Sequence, residues 1–309
     1  MLLKNLLKNI FYIYNKKFVI MYIHMIKKKT IHFILPSGGV RGSFQAGFIY
    51  HLKKNYNELF EIYRIDGTSV GAMNGLACCV EDPEIIRNVW FSQTNRETLF
   101  EPWVKNPFWK NIIGFYQGFF QHGMFNSKGL KKNIVNFYDK IDKSYLPKYN
   151  CVVTDITNGK YEYINGTTNN IIKYILASAS PTIISEPITI NNTIYCDGNL
   201  LQTYPTDFVE DSNADIKLLI GYDLDHHAGL SENGNTIVHS LYRQINILRK
   251  FSVNLTKIPK YIEKYNIVKI DNPVNFEPLD VSIENITIGF NLGIEYAEIF
   301  AKKYLLDTS

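Results

Sequence analysis

The sequence contains little that would indicate a metal, redox or nucleic-acid protein. Its 309 residues include four cysteines, and their spacing matches neither a zinc site nor a disulfide framework. The glycine patterns of nucleotide-binding loops, G-x-x-x-x-G-K-[ST] and G-x-G-x-x-G, are missing. A formal net charge of +4 without a basic stripe argues against nucleic acid as a partner. We therefore expect no metal, no cofactor and a reducing, cytoplasmic location.

The sequence also has no early apolar run long enough to cross a bilayer. Lysines interrupt the first 24 residues, and the uninterrupted apolar stretch there is only Phe18–Ile23. We expect residues 1–24 to be a basic and apolar extension ahead of one domain over residues 25–309. Three interpretations of the extension stay open: a non-essential segment, an amphipathic surface anchor, or a targeting signal.

The sequence pattern in the first part of the domain predicts alternating strands and helices. Ile31–Leu35 and Phe60–Ile65 are short apolar runs typical of buried strands. Phe44–Lys54 carries apolar residues at helical spacing, and Val70–Val80 is rich in small residues. The order strand, helix, strand, helix predicts an α/β fold with a mostly parallel sheet.

An irregular segment interrupts this pattern before further strands and helices follow. Residues 92–126 are rich in aromatic side chains, and we expect them to form a cap. Ser127 predicts a helix N-cap, and Asn158-Gly159 predicts a hairpin turn. The further expected elements are the helix Lys128–Tyr138, the strands Asn150–Thr154 and Tyr161–Ile164, the helix Ile171–Ala179, two strands within Pro187–Asp197 around Asn191-Asn192, the strand Ile216–Tyr222, and a mainly helical remainder, Thr236–Leu306.

A candidate nucleophile lies between the second strand and the second helix. Gly67-Thr68-Ser69-Val70-Gly71 matches G-x-S-x-G, the pattern of a sharp turn that exposes a serine side chain. Gly67 and Gly71 leave room for the tight backbone, and the helix N-terminus favours developing negative charge. We expect Ser69 to be a nucleophile of acyl transfer.

Acyl transfer also requires donors for the oxyanion of the tetrahedral intermediate. The segment Ser37–Gly42, SGGVRG, can supply them, because glycines at a helix N-terminus leave backbone N–H groups exposed. The candidate donors are the N–H groups of Gly38, Gly39, Val40 and Arg41, with Gly42 supporting the loop.

These motifs resemble the patatin-like phospholipase family, whose members carry a G-G-G-x-[RK]-G loop followed by G-T-S-x-G-A. The later segments Ala177–Pro181, ASASP, and Tyr195–Gly198, YCDG, are similar to the family's A-S-x-x-P and D-G-[GA] motifs. Val281–Ala297 is similar to its closing helix. Two positions differ from the pattern: Ser37 replaces the first loop glycine, and Asn199 stands where glycine or alanine is usual.

The resemblance implies a three-layer fold, with helices on both faces of the sheet, and a Ser-Asp dyad. It assigns Asp197 as the base, with Gly198 as motif support. The runner-up is a Ser-His-Asp triad that uses His226, His227 or His239. Only one strand and one helix fit before Phe60, whereas α/β-hydrolases have several strands ahead of the nucleophile, so we favour the dyad.

The resemblance also implies cleavage of carboxylic esters in acyl lipids or phospholipids, without a cofactor. A peripheral membrane surface is a further candidate partner, because Phe100–Phe125 interleaves aromatic residues with Lys105 and Lys110. The same rings could instead pack under a cap, and both interpretations stay open. The two departures also leave an alternative function, a catalytically weak lipid-binding or scaffold protein.

Arg41 is the one charged residue of the glycine-rich loop. Backbone N–H groups can stabilise an oxyanion at lower entropic cost than a guanidinium group can. We therefore expect the Arg41 side chain to hold the loop through hydrogen bonds to backbone carbonyls. A secondary part would be attraction of anionic head groups.

Overall fold

Buried apolar residues alternate along the first strand, and each set faces a different layer of the molecule. The computed structural model describes residues 27–93, 99, 101–102, 125–181, 185–223 and 253–306. In the strand Lys29–Leu35, Phe33 belongs to the larger hydrophobic cluster, whereas Ile34 belongs to a smaller one. Successive side chains of a strand point to opposite faces, so this sheet is covered on both sides.

The strands of the described residues are numbered in chain order. They are β1 (Lys29–Leu35), β2 (Phe60–Thr68), β3 (Glu101–Pro102), β4 (Phe125–Asn126), β5 (Tyr149–Asp155), β6 (Lys160–Asn165), β7 (Ile188–Ile190), β8 (Thr193–Asp197), β9 (Ile216–Tyr222) and β10 (Val268–Asp271). Eight of them form one sheet in the order β10-β9-β1-β2-β5-β8-β7, with β6 also paired to β5. The strands from β10 to β5 in that order are parallel, and β6, β7 and β8 are antiparallel to their neighbours.

The helices pack on both faces of this sheet. They are α1 (Gly42–Asn55), α2 (Val70–Cys78), α3 (Glu84–Phe91), α4 (Lys128–Tyr138), α5 (Ile171–Ser178), α6 (Val253–Lys264) and α7 (Ile283–Tyr304). On one face, α1 packs along α7, with Phe48 of α1 and Phe300 of α7 5.5 Å apart between ring centroids. On the other face, Ile258 of α6 packs in the cluster that contains Ile34 and Leu219. The predicted fold class, helices on both sides of a mostly parallel sheet, is confirmed.

Most elements lie where the sequence predicts them. The strand expected at Phe60–Ile65 continues to Thr68, and the helix expected over Val70–Val80 ends at Cys78. The two strands around Asn191-Asn192 are present as β7 and β8, and both asparagines have positive φ angles, 50° and 65°. Such angles are required at both central residues of a tight type I′ hairpin turn.

Two predictions are confirmed only in part. The stretch expected to be mainly helical contains a strand, β10, which forms the sheet edge beside β9. Ser127 does occupy the N-cap position of α4, but its side chain makes no capping hydrogen bond. The side chain of Asn126 accepts a hydrogen bond from Lys128 N–H at 3.2 Å instead.

Several sequence-based expectations fall outside the described residues. These are the extension over residues 1–24, most of the aromatic segment at 92–126, and the beginning of the remainder from 236 to 252. Within the ranges that are described, no helix is both long and apolar enough to cross a membrane.

Candidate active site

Ser69 occupies the sharp turn that joins β2 to α2. Its backbone angles are φ 58° and ψ −124°, a conformation that costs a residue with a side chain of order 1–3 kcal/mol. The glycine at position 71 allows the close packing behind this turn, because a Cβ there would lie 2.0 Å from the carbonyl oxygen of Leu35. The turn therefore has the strained geometry that G-x-S-x-G predicts.

Asp197 ends strand β8, and its carboxylate meets the serine. Ser69 Oγ donates a hydrogen bond to Asp197 Oδ2 at 3.0 Å, and the two residues are 7% and 5% exposed. The backbone N–H of Asn199 donates to the other carboxylate oxygen, Oδ1, at 2.8 Å. The structure thus brings together two residues that are 128 positions apart in the chain.

A third residue holds the backbone of the serine turn. Ser178, at the end of α5, accepts a hydrogen bond from Ser69 N–H at 2.9 Å. Its hydroxyl donates in turn to the carbonyl oxygen of Val152 in β5 at 2.6 Å. Ser178 is fully buried. In the sequence, the only signal for this contact is the place of Ser178 in the ASASP segment, which by itself assigns the serine no role.

The glycine-rich loop follows β1 at the same sheet edge at which Ser69 follows β2. The parallel register pairs Leu35 with Gly67, so the two segments leave the sheet side by side. Gly39 has a positive φ of 57°, and a Cβ at this position would lie 2.1 Å from the carbonyl oxygen of Pro278. Only glycine can therefore occupy position 39 without displacing the segment around Pro278.

The four candidate donors of the loop differ in their backbone bonding. Val40 N–H already donates to the carbonyl oxygen of Pro278 at 2.8 Å, and Arg41 N–H donates to that of Gly38 at 3.2 Å. Neither Gly38 nor Gly39 donates its N–H to another residue that the structure describes. Of the four candidate donors, Gly38 and Gly39 are thus the two whose N–H groups make no backbone hydrogen bond within the described part of the chain.

The Arg41 side chain contacts residues that pack around the loop. Its Nε donates to the carbonyl oxygen of Phe276 at 2.7 Å, and its guanidinium forms an ion pair with Asp223 at 3.2 Å. Arg41 is 6% exposed. The expected hydrogen bond from this side chain to a backbone carbonyl is confirmed.

The remaining motif glycines are also closely packed. A Cβ at Gly67, Gly42 or Gly198 would lie within 2.3 to 2.4 Å of an atom of a neighbouring segment. At Gly198 that atom is the carbonyl oxygen of Val152, the group to which Ser178 donates. The turn after Asp197 is therefore packed directly against β5.

Ser69 opens into a mostly apolar cleft of about 550 Å³, counted with its open mouth. Gly39 and Val40 of the loop line the same cleft. The apolar walls come from α2, α3, α4 and the segment before α7, and include Val70, Met73, Trp90, Leu130, Leu279 and Val281. A cleft with such walls suits an apolar ligand group next to the serine hydroxyl.

The other reactive residues considered from the sequence are histidines and cysteines. His226, His227 and His239 fall outside the described residues. All four cysteines are buried and unbridged. Among the residues that the structure describes, no group of three or more His, Cys, Asp or Glu side chains could hold a metal ion.

Comparison with known families identifies the chain. The sequence model of the family described as patatin-like phospholipase matches residues 33–209, more than half of the 309 residues. The chain belongs to the patatin-like phospholipase family. The resemblance stated from the motifs is confirmed, and lipid ester hydrolysis is the activity that this family supports.

The residues that match the family model include those that form the candidate site. Ser69, Ser178 and Asp197 all lie within residues 33–209, as does the glycine-rich loop. The segment around Pro278, which accepts the Val40 hydrogen bond, lies beyond the match. Part of the support of the loop in this patatin-like chain therefore comes from outside the matched region.

The patatin-like chain also aligns with a solved structure. VipD from Legionella pneumophila aligns with a TM-score of 0.43 and 11% identity, over 90% of this chain and 67% of that one. A likeness of this strength has no bearing on activity. A search of curated proteins found no significant match.

Proposed function

We propose that this protein is a serine acyl hydrolase that cleaves the carboxylic esters of acyl lipids through a Ser69–Asp197 dyad. The observation that carries the proposal is the hydrogen bond from Ser69 Oγ to Asp197 Oδ2, 3.0 Å long. A nucleophilic serine needs a base within hydrogen-bond reach, and this carboxylate is such a base.

In the first half of the proposed reaction, Ser69 attacks the carbonyl carbon of the ester. The hydroxyl proton passes to Asp197 Oδ2 while the bond from Oγ to carbon forms. The N–H groups of Gly38 and Gly39 stabilise the negative oxygen, with those of Val40 and Arg41 as further candidate donors. When the intermediate collapses, the ester C–O bond breaks, and the leaving alcohol takes the proton from Asp197.

In the second half, water releases the acyl group from the serine. Asp197 accepts a proton from the water as its oxygen bonds to the acyl carbon. The second tetrahedral intermediate collapses with cleavage of the bond between carbon and Ser69 Oγ. The proton returns to Oγ, the fatty acid leaves, and no cofactor is consumed.

The apolar cleft supports the choice of an acyl lipid as substrate. Its walls carry Val70, Met73 and Leu130 close to the serine, and burial of an apolar chain contributes roughly 25 cal/mol per Å² of surface removed from water. Peripheral contact with a membrane surface would bring such substrates to the cleft.

The decisive experiment uses a short-chain p-nitrophenyl ester and a fluorophosphonate probe. Ser69→Ala and Asp197→Asn should each lower kcat by at least about 10³-fold while the proteins stay folded by circular dichroism. Labelling should require Ser69. A double variant should be about as slow as the slower single variant, because the two residues act as a unit.

Two other results would contradict the proposal. Substantial hydrolysis by Ser69→Ala would exclude this serine as the nucleophile. A folded wild-type protein that neither hydrolyses the ester nor takes up the probe would favour the alternative, a lipid-binding or scaffold protein. Replacement of His226, His227 and His239 by Asn tests the triad, because a collapse of the rate at any one would refute the dyad.

A further inference from the structure

The two positions that depart from the family pattern lie in contact with each other. Ser37 is the first residue of the glycine-rich loop, and Asn199 follows the dyad aspartate by two residues. Ser37 Oγ donates a hydrogen bond to Asn199 Oδ1 at 2.5 Å, across a separation of 162 positions in the chain. A glycine at either position would leave the other side chain without this partner, so the two departures form one pair.

We propose that Ser37 and Asn199 are positioning residues that hold the glycine-rich loop and the Asp197 carboxylate at a fixed distance and orientation to each other. This inference rests on the proposed function, because it assigns the pair a role in the same reaction. Neither side chain needs to touch the substrate. The pair acts through the two segments that it joins.

A continuous series of hydrogen bonds connects the loop to the nucleophile. Asn199 accepts from Ser37 through its side chain and donates to Asp197 Oδ1 through its backbone N–H, at 2.8 Å. The other carboxylate oxygen accepts from Ser69 at 3.0 Å. A shift of Asn199 would therefore move the carboxylate relative to both the serine and the glycine-rich loop.

Thr203 contacts both members of the pair. Thr203 Oγ1 donates to the same oxygen, Oδ1, at 3.0 Å, and the carbonyl of Thr203 accepts from Ser37 N–H at 3.3 Å. Ser37 and Thr203 are 8% and 3% exposed. Asn199 is partly buried. Because little water reaches the hydroxyls of Ser37 and Thr203, water competes weakly for their hydrogen bonds to Asn199.

This arrangement matters because acyl transfer depends on the relative position of base and oxyanion donors. A displacement of about 1 Å at a reacting group can cost 10²-fold in rate. The Ser37–Asn199 bond joins neutral groups, so we expect a smaller effect on turnover than from loss of a reacting residue. Binding of a small neutral ester should be unaffected.

The test is a double-variant cycle on the full chain with the short-chain p-nitrophenyl ester. Ser37→Gly and Asn199→Gly should each lower kcat by about five- to thirty-fold with KM within about two-fold of wild type. The double variant restores the family pattern and should be no slower than the slower single variant. If the two effects multiply instead, the residues act independently and the inference is wrong.

Two further variants serve as controls for this test. Thr203→Val removes the Thr203 hydroxyl that donates to Asn199 but keeps the hydrogen bond from Ser37 to Asn199. Its kcat should therefore fall by less than about three-fold. An equal loss in Thr203→Val and Ser37→Gly would overturn the inference, as would a rise in KM with unchanged kcat. If a glycine variant fails to fold in thermal unfolding, Ser37→Ala removes the same hydroxyl and must show the same loss of kcat.

The experiments distinguish an error in the positioning role of Ser37 and Asn199 from an error in the proposed function. A wild-type protein without Ser69-dependent hydrolysis or labelling refutes the function, and with it the role of the pair. A wild-type protein that is active and labelled, with Ser37→Gly and Asn199→Gly variants at full kcat, refutes the pair alone.

Discussion

Removal of the Ser178 hydroxyl should slow turnover although this residue does not touch the substrate. In the folded protein the hydroxyl accepts from Ser69 N–H at 2.9 Å and donates to the Val152 carbonyl at 2.6 Å. Ser178→Ala leaves both buried backbone groups without this partner. The first of them belongs to the nucleophile, whose positive φ of 58° is already strained.

The magnitude follows from the cost of a buried N–H group without an acceptor, about 1–3 kcal/mol. The serine turn can recover this energy by relaxing, but the reaction then has to restore the strained geometry. An added barrier of that size corresponds to a fall in kcat of about 5- to 150-fold. KM should change little, because the apolar walls of the cleft are intact. The free energy of unfolding should fall by about 2–4 kcal/mol for the two lost hydrogen bonds.

Ser180→Ala is the matched control for this prediction. Ser180 is also fully buried in the same segment, but its hydroxyl donates to the carbonyl of Leu176 at 2.7 Å and makes no bond to Ser69. The control should lose stability in urea unfolding and keep kcat within about two-fold. If both variants slow hydrolysis equally, general loosening of the segment explains the loss, and the anchoring of Ser69 by Ser178 is refuted.

Three further substitutions test other parts of the structure. Arg41→Lys keeps the charge but not the planar fork, so kcat should fall about ten-fold for neutral short esters as well as for anionic lipids; a loss confined to anionic lipids would make Arg41 a head-group contact. Glu298→Gln should lower the free energy of unfolding at neutral pH by about 0.5 kcal/mol, measured by urea unfolding. Hydrogen bonds from Tyr56, His51 and Lys302 together lower the pKa of Glu298 from 4.5 to about 2, so the deficit should shrink as pH falls below 4.5, and a constant deficit would contradict this reasoning. Gly71→Ala should destabilise the fold by about 3 kcal/mol in urea unfolding, against about 1 kcal/mol for Gly159→Ala, whose added Cβ meets nothing within 4 Å; equal losses would refute the packing argument.

The sequence was sufficient to predict the order of the core elements, and its resemblance to the patatin-like family implied the approach of Ser69 to Asp197. Short apolar runs identified β1, β2 and β9, since strands buried on both faces have few polar residues. The motif serine was placed correctly because G-x-S-x-G combines a backbone requirement with a strand and a helix on either side.

Other features left too weak a pattern to be predicted. Strand β10 is four residues long, Val268–Asp271, and lies at the sheet edge with alternate residues exposed, so nothing distinguished it from its helical neighbours. Ser178 acts through a hydroxyl 109 positions from Ser69, and a buried serine after a helix has no sequence signature of that contact. The capping role of Asn126 was missed because Ser127 also matches the preferred residue type.

The donors of the loop show a more general limit, because the groups that decide their availability are backbone atoms. Val40 was as good a candidate as Gly38 from the sequence alone. Its N–H is occupied by the carbonyl of Pro278, which lies outside the residues that match the family. The same short segment supplies the carbonyl of Phe276 to Arg41, so residues near the C-terminus shape a loop near the N-terminus. Sequence motifs can identify a candidate oxyanion loop, but only the tertiary contacts of that segment determine which N–H groups an oxyanion can reach.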